Sequence, residues 1–553
     1  MKTNYRNYVG AILASALLTS CGTTGLKFEA ESLSLGDLPE KNQALTEEEQ
    51  KTWSHADLLK DTIPGMSVNR AYEELIRDQE GEVVIVGVVD SGVDHEHEDL
   101  ASVMWVNPDE IPANDMDDDG NGFVDDVYGW NFLGDIEEEN LEFTRIVRDI
   151  ENKYGDDLSQ LSDAEKMQYE AAKAEYDKEM KQAQSNYNRY LMLETNLMRG
   201  EKSLKEAMDV DKLTLASLRT FETDSTDLAN HKNFLMSIMT NAGEDLTVVY
   251  TQLESGKEYF QNRMNYHFKK DLNARANKLG DDENDFTVTV YGDNRVSGPN
   301  PKKEGAKHGT HVSGIIAADR TNDIGVKGVA QNVQILAVRA VPDGDEYDKD
   351  IALAIRYAVD NGAKIINTSF GKSFSTYPEA VEDAIRYAAE KDVLIVNAAG
   401  NDASNLDEVR TYPNDQNPEN ETEIANNFIN IGSITSSYGK AMVSGFSNYG
   451  KSSVDIFAQG SGIYATTPLD TYDSLGGTSM AAPAVAGVAA LIRSYYPKLT
   501  AAQVKKVIMD SGLSFNGEVI VGGDPNNTTE FSELSVSGKI VNLYNALILA
   551  DEL

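Results

Sequence analysis

The chain has 553 residues, 41% of them hydrophobic, enough to bury the core of one large domain with an insertion or of two to three domains. Against 49 Lys and Arg stand 91 Asp and Glu, and the resulting formal charge of −42 repels phosphate backbones, which excludes nucleic acid as a partner. Most of that acidity is read as solvated surface, with a share left for metal.

Residues 1–21 read as an export signal: Lys2 and Arg6, an apolar run from Val9 to Leu18 too short to span a bilayer, then small residues before Cys21. Leu18-Thr19-Ser20-Cys21 resembles a bacterial lipobox. That implies an exported protein held in the cell envelope by a lipid on Cys21, at a periplasmic face or the cell surface. Cys21 is the only cysteine, so neither an internal disulfide nor a multi-cysteine metal site is available. Residues 22–52, polar and rich in Glu and Ser, read as a tether.

From Val83 to Val89 runs a β-branched stretch of the kind buried on both faces of a parallel sheet, and Asp90 follows it at once. His95 and His97 come next. Asp115, Asp117 and Asp119, then Gly120, Asn121 and Asp126, follow calcium-loop spacing. So many carboxylates repel without a cation, so structural Ca2+ is expected on Asp115, Asp117, Asp119, Asn121 and Asp126, although Asp at the last position reaches less far than the usual Glu.

Residues 135–285 change character, to helical stretches rich in Glu, Lys, Gln, Ala and Met. Phe143, Ile146, Val147, Ile150 and Tyr154 share helical spacing, as do Tyr169, Tyr176, Met180, Ala183, Tyr187, Leu191 and Met198, while Ser162 with Glu165 forms a capping box. This block reads as a helical insertion, its Tyr and Met stripe as core packing, and its position as a lid or rim of a site. Residues 53–134 and 286–553 then make one α/β domain: helices at 351–361 and 380–391 alternate with strands at 363–367 and 393–397, implying a doubly wound, mostly parallel sheet flanked by helices.

In such a sheet functional residues gather beyond the carboxyl ends of the strands. Asp90 follows the first strand, His308 lies in Lys307-His308-Gly309-Thr310-His311 at a helix start, and Ser479 in Gly477-Thr478-Ser479-Met480-Ala481-Ala482-Pro483 opens another helix. A serine hydroxyl needs a histidine to take its proton, and the histidine needs a carboxylate to fix its tautomer. The three residues supply that set in the order Asp, His, Ser.

These two motifs, with Asp90-Ser91-Gly92 as the third, resemble the signatures of the subtilisin-like serine protease family. The resemblance implies a serine endopeptidase acting on peptides or proteins, with Asp90 orienting, His308 as general base and acid, and Ser479 as nucleophile. It further implies an oxyanion role for Asn401, a substrate-pairing edge at Ser369, Phe370 and Gly371, and a pocket for the residue before the scissile bond at Ala398, Ala399 and Gly400. His97 and His311 are read as structural. The Asp90-to-His308 separation of 218 residues exceeds the compact family pattern because the insertion lies between them. A proteolytically silent binding lipoprotein is the rival reading, set against four intact residues. A serine esterase of the α/β-hydrolase kind would need a Gly-x-Ser-x-Gly elbow, which Gly477-Thr478-Ser479-Met480-Ala481 does not supply.

Overall fold

The structure, a computed structural model, describes residues 44–155, 157–417 and 422–553. Cys21 and the signal lie outside the described residues.

In chain order the strands are β1 Val84–Asp90, β2 Gly129–Asn131, β3 Val333–Arg339, β4 Ile365–Thr368, β5 Leu394–Ala398, β6 Phe428–Ile434 and β7 Ile456–Gln459. A hairpin, β8 Ile463–Thr467 and β9 Thr471–Leu475, and the strands β10 Leu513–Ser514, β11 Glu518–Val521, β12 Asp524–Glu530 and β13 Lys539–Ile540 follow. Nine of them form one sheet in the order β10-β13-β7-β6-β5-β4-β1-β3-β2. All neighbours pair parallel except β10 with β13.

Successive side chains of a strand point to opposite faces, and here both faces are apolar. Val86, Val88, Ile335, Ala337, Leu394 and Val396 join one core, with the helices Lys307–Ala317 and Thr478–Tyr495. Val89, Leu336, Val338, Ile366 and Ile395 join a second, with the helices Asp348–Asp360 and Pro378–Glu390. The sheet is therefore doubly wound. Pro483 sits inside the helix Thr478–Tyr495.

The insertion contains the helices Glu142–Tyr154, Asp163–Met208, Thr226–Ala242 and Leu246–Asn262. Ser162 and Glu165 cap the second of these reciprocally. Its Tyr and Met stripe is only half core. Tyr169, Tyr176, Met180 and Ala183 pack with Phe143 and Phe268, whereas Leu191 and Met198 are exposed. Beyond Tyr187 the partners change to the helices Thr226–Ala242 and Leu246–Asn262, and the buried face moves to Leu193, Leu197 and Leu204. A seven-residue stripe drifts about 20° per repeat on a straight helix, so one stripe cannot serve two partners.

The stretch read as tether departs from that reading at its end. Residues 47–52 form a helix capped reciprocally by Thr46 and Glu49, and Lys51 Nζ lies 5.0 Å from the Tyr464 ring centre in β8. The Thr-x-x-Glu signal was present in the sequence and outweighs the polar composition around it.

Candidate active site

Parallel register brings the critical chain ends to one edge. Asp90 faces Arg339, Val89 faces Thr368, and Thr368 faces Asn397, so β1, β3, β4 and β5 all end at the same level. Asp90 is the last residue of β1 rather than the first of a loop, and its side chain is 2% exposed. Oδ1 accepts from the Ser91 N–H and from His308 Nδ1, both at 2.7 Å, while Oδ2 is buried with no partner among the described residues.

His308 stands in the first turn of its helix with its imidazole 38% exposed at the cleft. Crowding of the ring by its surroundings disfavours the charged form, and the Asp90 carboxylate favours it. The carboxylate prevails and the imidazole is held above its ordinary value. The contact to Asp90 through Nδ1 leaves Nε2 for proton transfer.

Ser479 is the second residue of its helix, so its backbone N–H belongs to the unpaired set at the helix start. Its hydroxyl donates to the Ser369 carbonyl at 3.2 Å instead of facing His308, and the Ser369 hydroxyl donates back to the Ser479 carbonyl at 2.9 Å. Asn401 Oδ1 accepts from the Thr478 N–H at 2.8 Å and from Thr478 Oγ1 at 3.1 Å. Those two donors fix which way the amide faces. A Cβ on Gly477 would lie 3.5 Å from Asn401 Nδ2, 3.6 Å from Asn401 Oδ1 and 3.6 Å from Ser479 N, so Gly477, Asn401 and Ser479 border one space.

A cleft of about 520 Å³ contains Ser479 and Asn401 together with Phe370, Gly371, Ala398, Ala399 and Gly400. Ser369 is not in its lining; it borders a neighbouring 540 Å³ cleft on the His308 side, with Asp90 and Arg339. One wall of the Ser479 cleft comes from the insertion, through Glu175, Lys178, Glu179 and Arg263.

The family model of the subtilases, peptidase family S8, matches residues 81–531. The chain belongs to the subtilase family. Subtilisin DY of Bacillus licheniformis is 36% identical over 235 residues, which cover 42% of this chain and 80% of that one. Thermitase of Thermoactinomyces vulgaris is 38% identical over 200 residues, covering 36% and 65%. A solved protease from Pseudoalteromonas arctica aligns at 28% identity and a TM-score of 0.37, over 46% of this chain and 74% of its own. Subtilases are serine endopeptidases, and this chain is one of them.

The acidic loop of this subtilase is arranged differently from its template spacing. Asp117 turns inward and accepts from the N–H groups of Gly120, Asn121 and Gly122. Asp115 does not join the carboxylate group either. The carboxylates that converge are Glu110, Asp119 and Asp126, with candidate ligand oxygens within 4.8 Å of one another. Asn107 and Asn121 bridge Asp119 to Asp126 through their amides. Glu110 Oε2 is buried without a partner among the described residues, and burial pushes Asp126 up to about 6. Glu110 lies five residues before the twelve-residue frame, where spacing alone does not look.

His97 Nε2 faces the Thr471 carbonyl at 3.1 Å, and His311 Nε2 faces the Ile463 and Asp473 carbonyls at 3.0 and 3.1 Å. Burial pushes His311 down to about 4. Both rings pack β8 and β9 against the body. Sequence reading passed over Arg339, although it ends a Val-x-Ile-Leu-Ala-Val run that marks β3.

Proposed function

We propose that this subtilase hydrolyses peptide bonds through an acyl-enzyme formed on Ser479, while anchored in the cell envelope by a lipid on Cys21. The observation that carries the proposal is the 2.7 Å contact of His308 Nδ1 with buried Asp90, at the strand edge that Ser479 faces from its helix.

On this reading the substrate enters extended and pairs with Ser369–Gly371, and the side chain before the scissile bond lies along Ala398–Gly400. The Ser479 hydroxyl swings from the Ser369 carbonyl toward the imidazole, which takes its proton as Oγ attacks the carbonyl carbon. Asp90 holds the tautomer and steadies the imidazolium. Asn401 Nδ2 and the Ser479 N–H receive the oxyanion, the contribution that in serine proteases is worth about 10²- to 10³-fold in turnover per side-chain donor. His308 then protonates the leaving amine, and water repeats the sequence to free the acid.

Glu110, Asp119 and Asp126 suit Ca2+, a hard cation that takes carboxylate oxygens, and the unpartnered Glu110 Oε2 is what such an ion would satisfy. Bound there it would brace the loop that leads into β2. Lipid attachment rests on the basic start, the short apolar run and Leu18-Thr19-Ser20-Cys21. Among the described residues no helix is long and apolar enough to cross a membrane.

The test is labelling with a fluorophosphonate, which reports an activated serine. Wild type labels and Ser479→Ala does not; a well-folded wild type that stays unlabelled overturns the proposal. Incorporation of radiolabelled palmitate, lost in Cys21→Ala, tests the anchor.

A further inference from the structure

The insertion is built into the substrate cleft rather than hung beside it. Its first helix is fixed to both segments that edge the cleft. The Glu142 N–H donates to Asp345 Oδ2 at 2.7 Å, and Arg145 donates to the carbonyls of Asp345 and Glu346 at 2.8 and 2.9 Å. On the other edge Lys372, next to Gly371, reaches the Glu142 carboxylate at 3.2 Å and Asp348 at 2.9 Å. Glu142, Arg145 and Lys372 are all buried. Behind them Phe143 stacks on Phe268 at 6.1 Å, and Tyr176 OH donates to the Phe268 carbonyl, seating the long helix Asp163–Met208 over the cleft.

The wall so placed is charged. Glu179 pairs with Arg263 at 3.1 Å, and Glu175 with Lys178 at 2.8 Å. Across the cleft Lys372 is spent on Glu142 and Asp348, whereas Asp402 keeps an exposed carboxylate. Glu346, buried with its Oε1 unpartnered among the described residues, is pushed up to about 8 by burial and adds no charge at neutral pH. The four wall charges balance, so the cleft is tipped by Asp402 opposite.

Building on the peptidase reading, we propose that the insertion is a specificity element whose wall, Glu175, Lys178, Glu179 and Arg263, together with Asp402, selects Lys or Arg over Asp or Glu in the substrate segment preceding the scissile bond. The charges within each wall pair oppose one another, so removing either partner tilts the cleft in a known direction. Glu179→Gln leaves Arg263 without its carboxylate and weakens the preference for basic residues. Arg263→Gln leaves Glu179 with only the more distant Lys178, at 3.7 Å, and strengthens it.

The measurement is the ratio of kcat/KM for paired peptides that differ only by Lys or Glu at one position, scanned from the second to the fifth residue before the cleaved bond. This ratio is internal to each enzyme, so a variant that folds in part still reports it. The wild-type ratio favours Lys at one position or more. At that position Glu179→Gln lowers it and Arg263→Gln raises it, each by about three- to tenfold for a unit charge in a partly solvated cleft. A fluorophosphonate-reactive wild type whose ratio is near unity throughout, or is equal in all three proteins, overturns the inference and leaves the peptidase reading intact. A folded wild type that is not labelled overturns that reading and the inference with it.

Discussion

Arg339 ends β3 level with Asp90 at the end of β1, and its Nε donates to the carbonyl of the next residue, Ser91, at 3.1 Å. The same guanidinium donates to Asn131 Oδ1 at 2.9 Å and to the carbonyls of Gly134 and Ile136, where the chain leaves for the insertion. One buried side chain thus ties the turn after Asp90 to the root of the helical block.

Replacing Arg339 by Met keeps much of the volume but strands those acceptors. Because unmet buried acceptors cost about 1–3 kcal/mol each when not rehydrated, Arg339→Met lowers unfolding free energy by about 3 kcal/mol or more. Arg339→Lys, which keeps a charge but loses the fork, loses stability as well. Urea unfolding of the three proteins checks this; unchanged stability in Arg339→Met contradicts the tie.

On the proposed mechanism the His308–Asp90 pair sets the acid limb of activity. Catalysis needs neutral imidazole, and the folded value is raised, so activity falls as pH drops through a point above the ordinary histidine value. In Asp90→Asn the crowding that disfavours charge remains without the carboxylate that outweighed it. The limb moves to lower pH, and turnover falls by about 10⁴-fold, the scale seen when a serine protease loses this carboxylate. The stability linkage has the opposite pH sense: a raised base stabilises below its unfolded value and loses that contribution as pH rises through the folded one. A pH series of kcat/KM on one peptide, run for both proteins, decides it.

Thr478 orients Asn401 through its backbone N–H and its hydroxyl. Thr478→Val removes one of the two and lets the amide turn. Turnover falls with little change in KM, by less than the 10²- to 10³-fold expected for Asn401→Ala, since the N–H tie survives. Equal losses in the two variants would show that the backbone tie alone does not hold the amide.

The calcium proposal predicts that the ion raises the melting temperature and chelation lowers it, by way of Glu110 rather than Asp115. At a hundredfold excess over Kd a ligand specific for the folded state adds about 2.7 kcal/mol. Glu110→Gln abolishes the calcium-dependent rise, and Asp115→Asn keeps it. Differential scanning with calcium or chelator tests both, and a rise that persists in Glu110→Gln rules out the Glu110–Asp119–Asp126 group.

Strands buried on both faces announce themselves as unbroken apolar runs, which is why β1, β4 and β5 and the helices beside them were legible. The catalytic candidates were legible because each sits next to an element boundary. What escaped depends on partners far away in sequence. Glu142 meets Lys372 across 230 residues and Arg145 meets the Glu346 carbonyl across 201, and no periodicity encodes either pairing. The acidic loop was found, with Asp119 and Asp126 in the converging group, whereas Asp117 serves backbone N–H groups, a competition that ligand spacing ignores. The 47–52 helix escaped because a polar surface hid its cap.

Pro483 lies four residues after Ser479 and has no N–H, so the Ser479 carbonyl lacks the donor that a regular helix would supply. The Ser369 hydroxyl fills that place at 2.9 Å. A residue that weakens the helix on its own account therefore makes the Ser479 backbone and the strand end beside it move as one piece. On the proposed mechanism, when a substrate draws the Ser479 side chain away from the Ser369 carbonyl this second bond stays, and the serine turns about a fixed pivot.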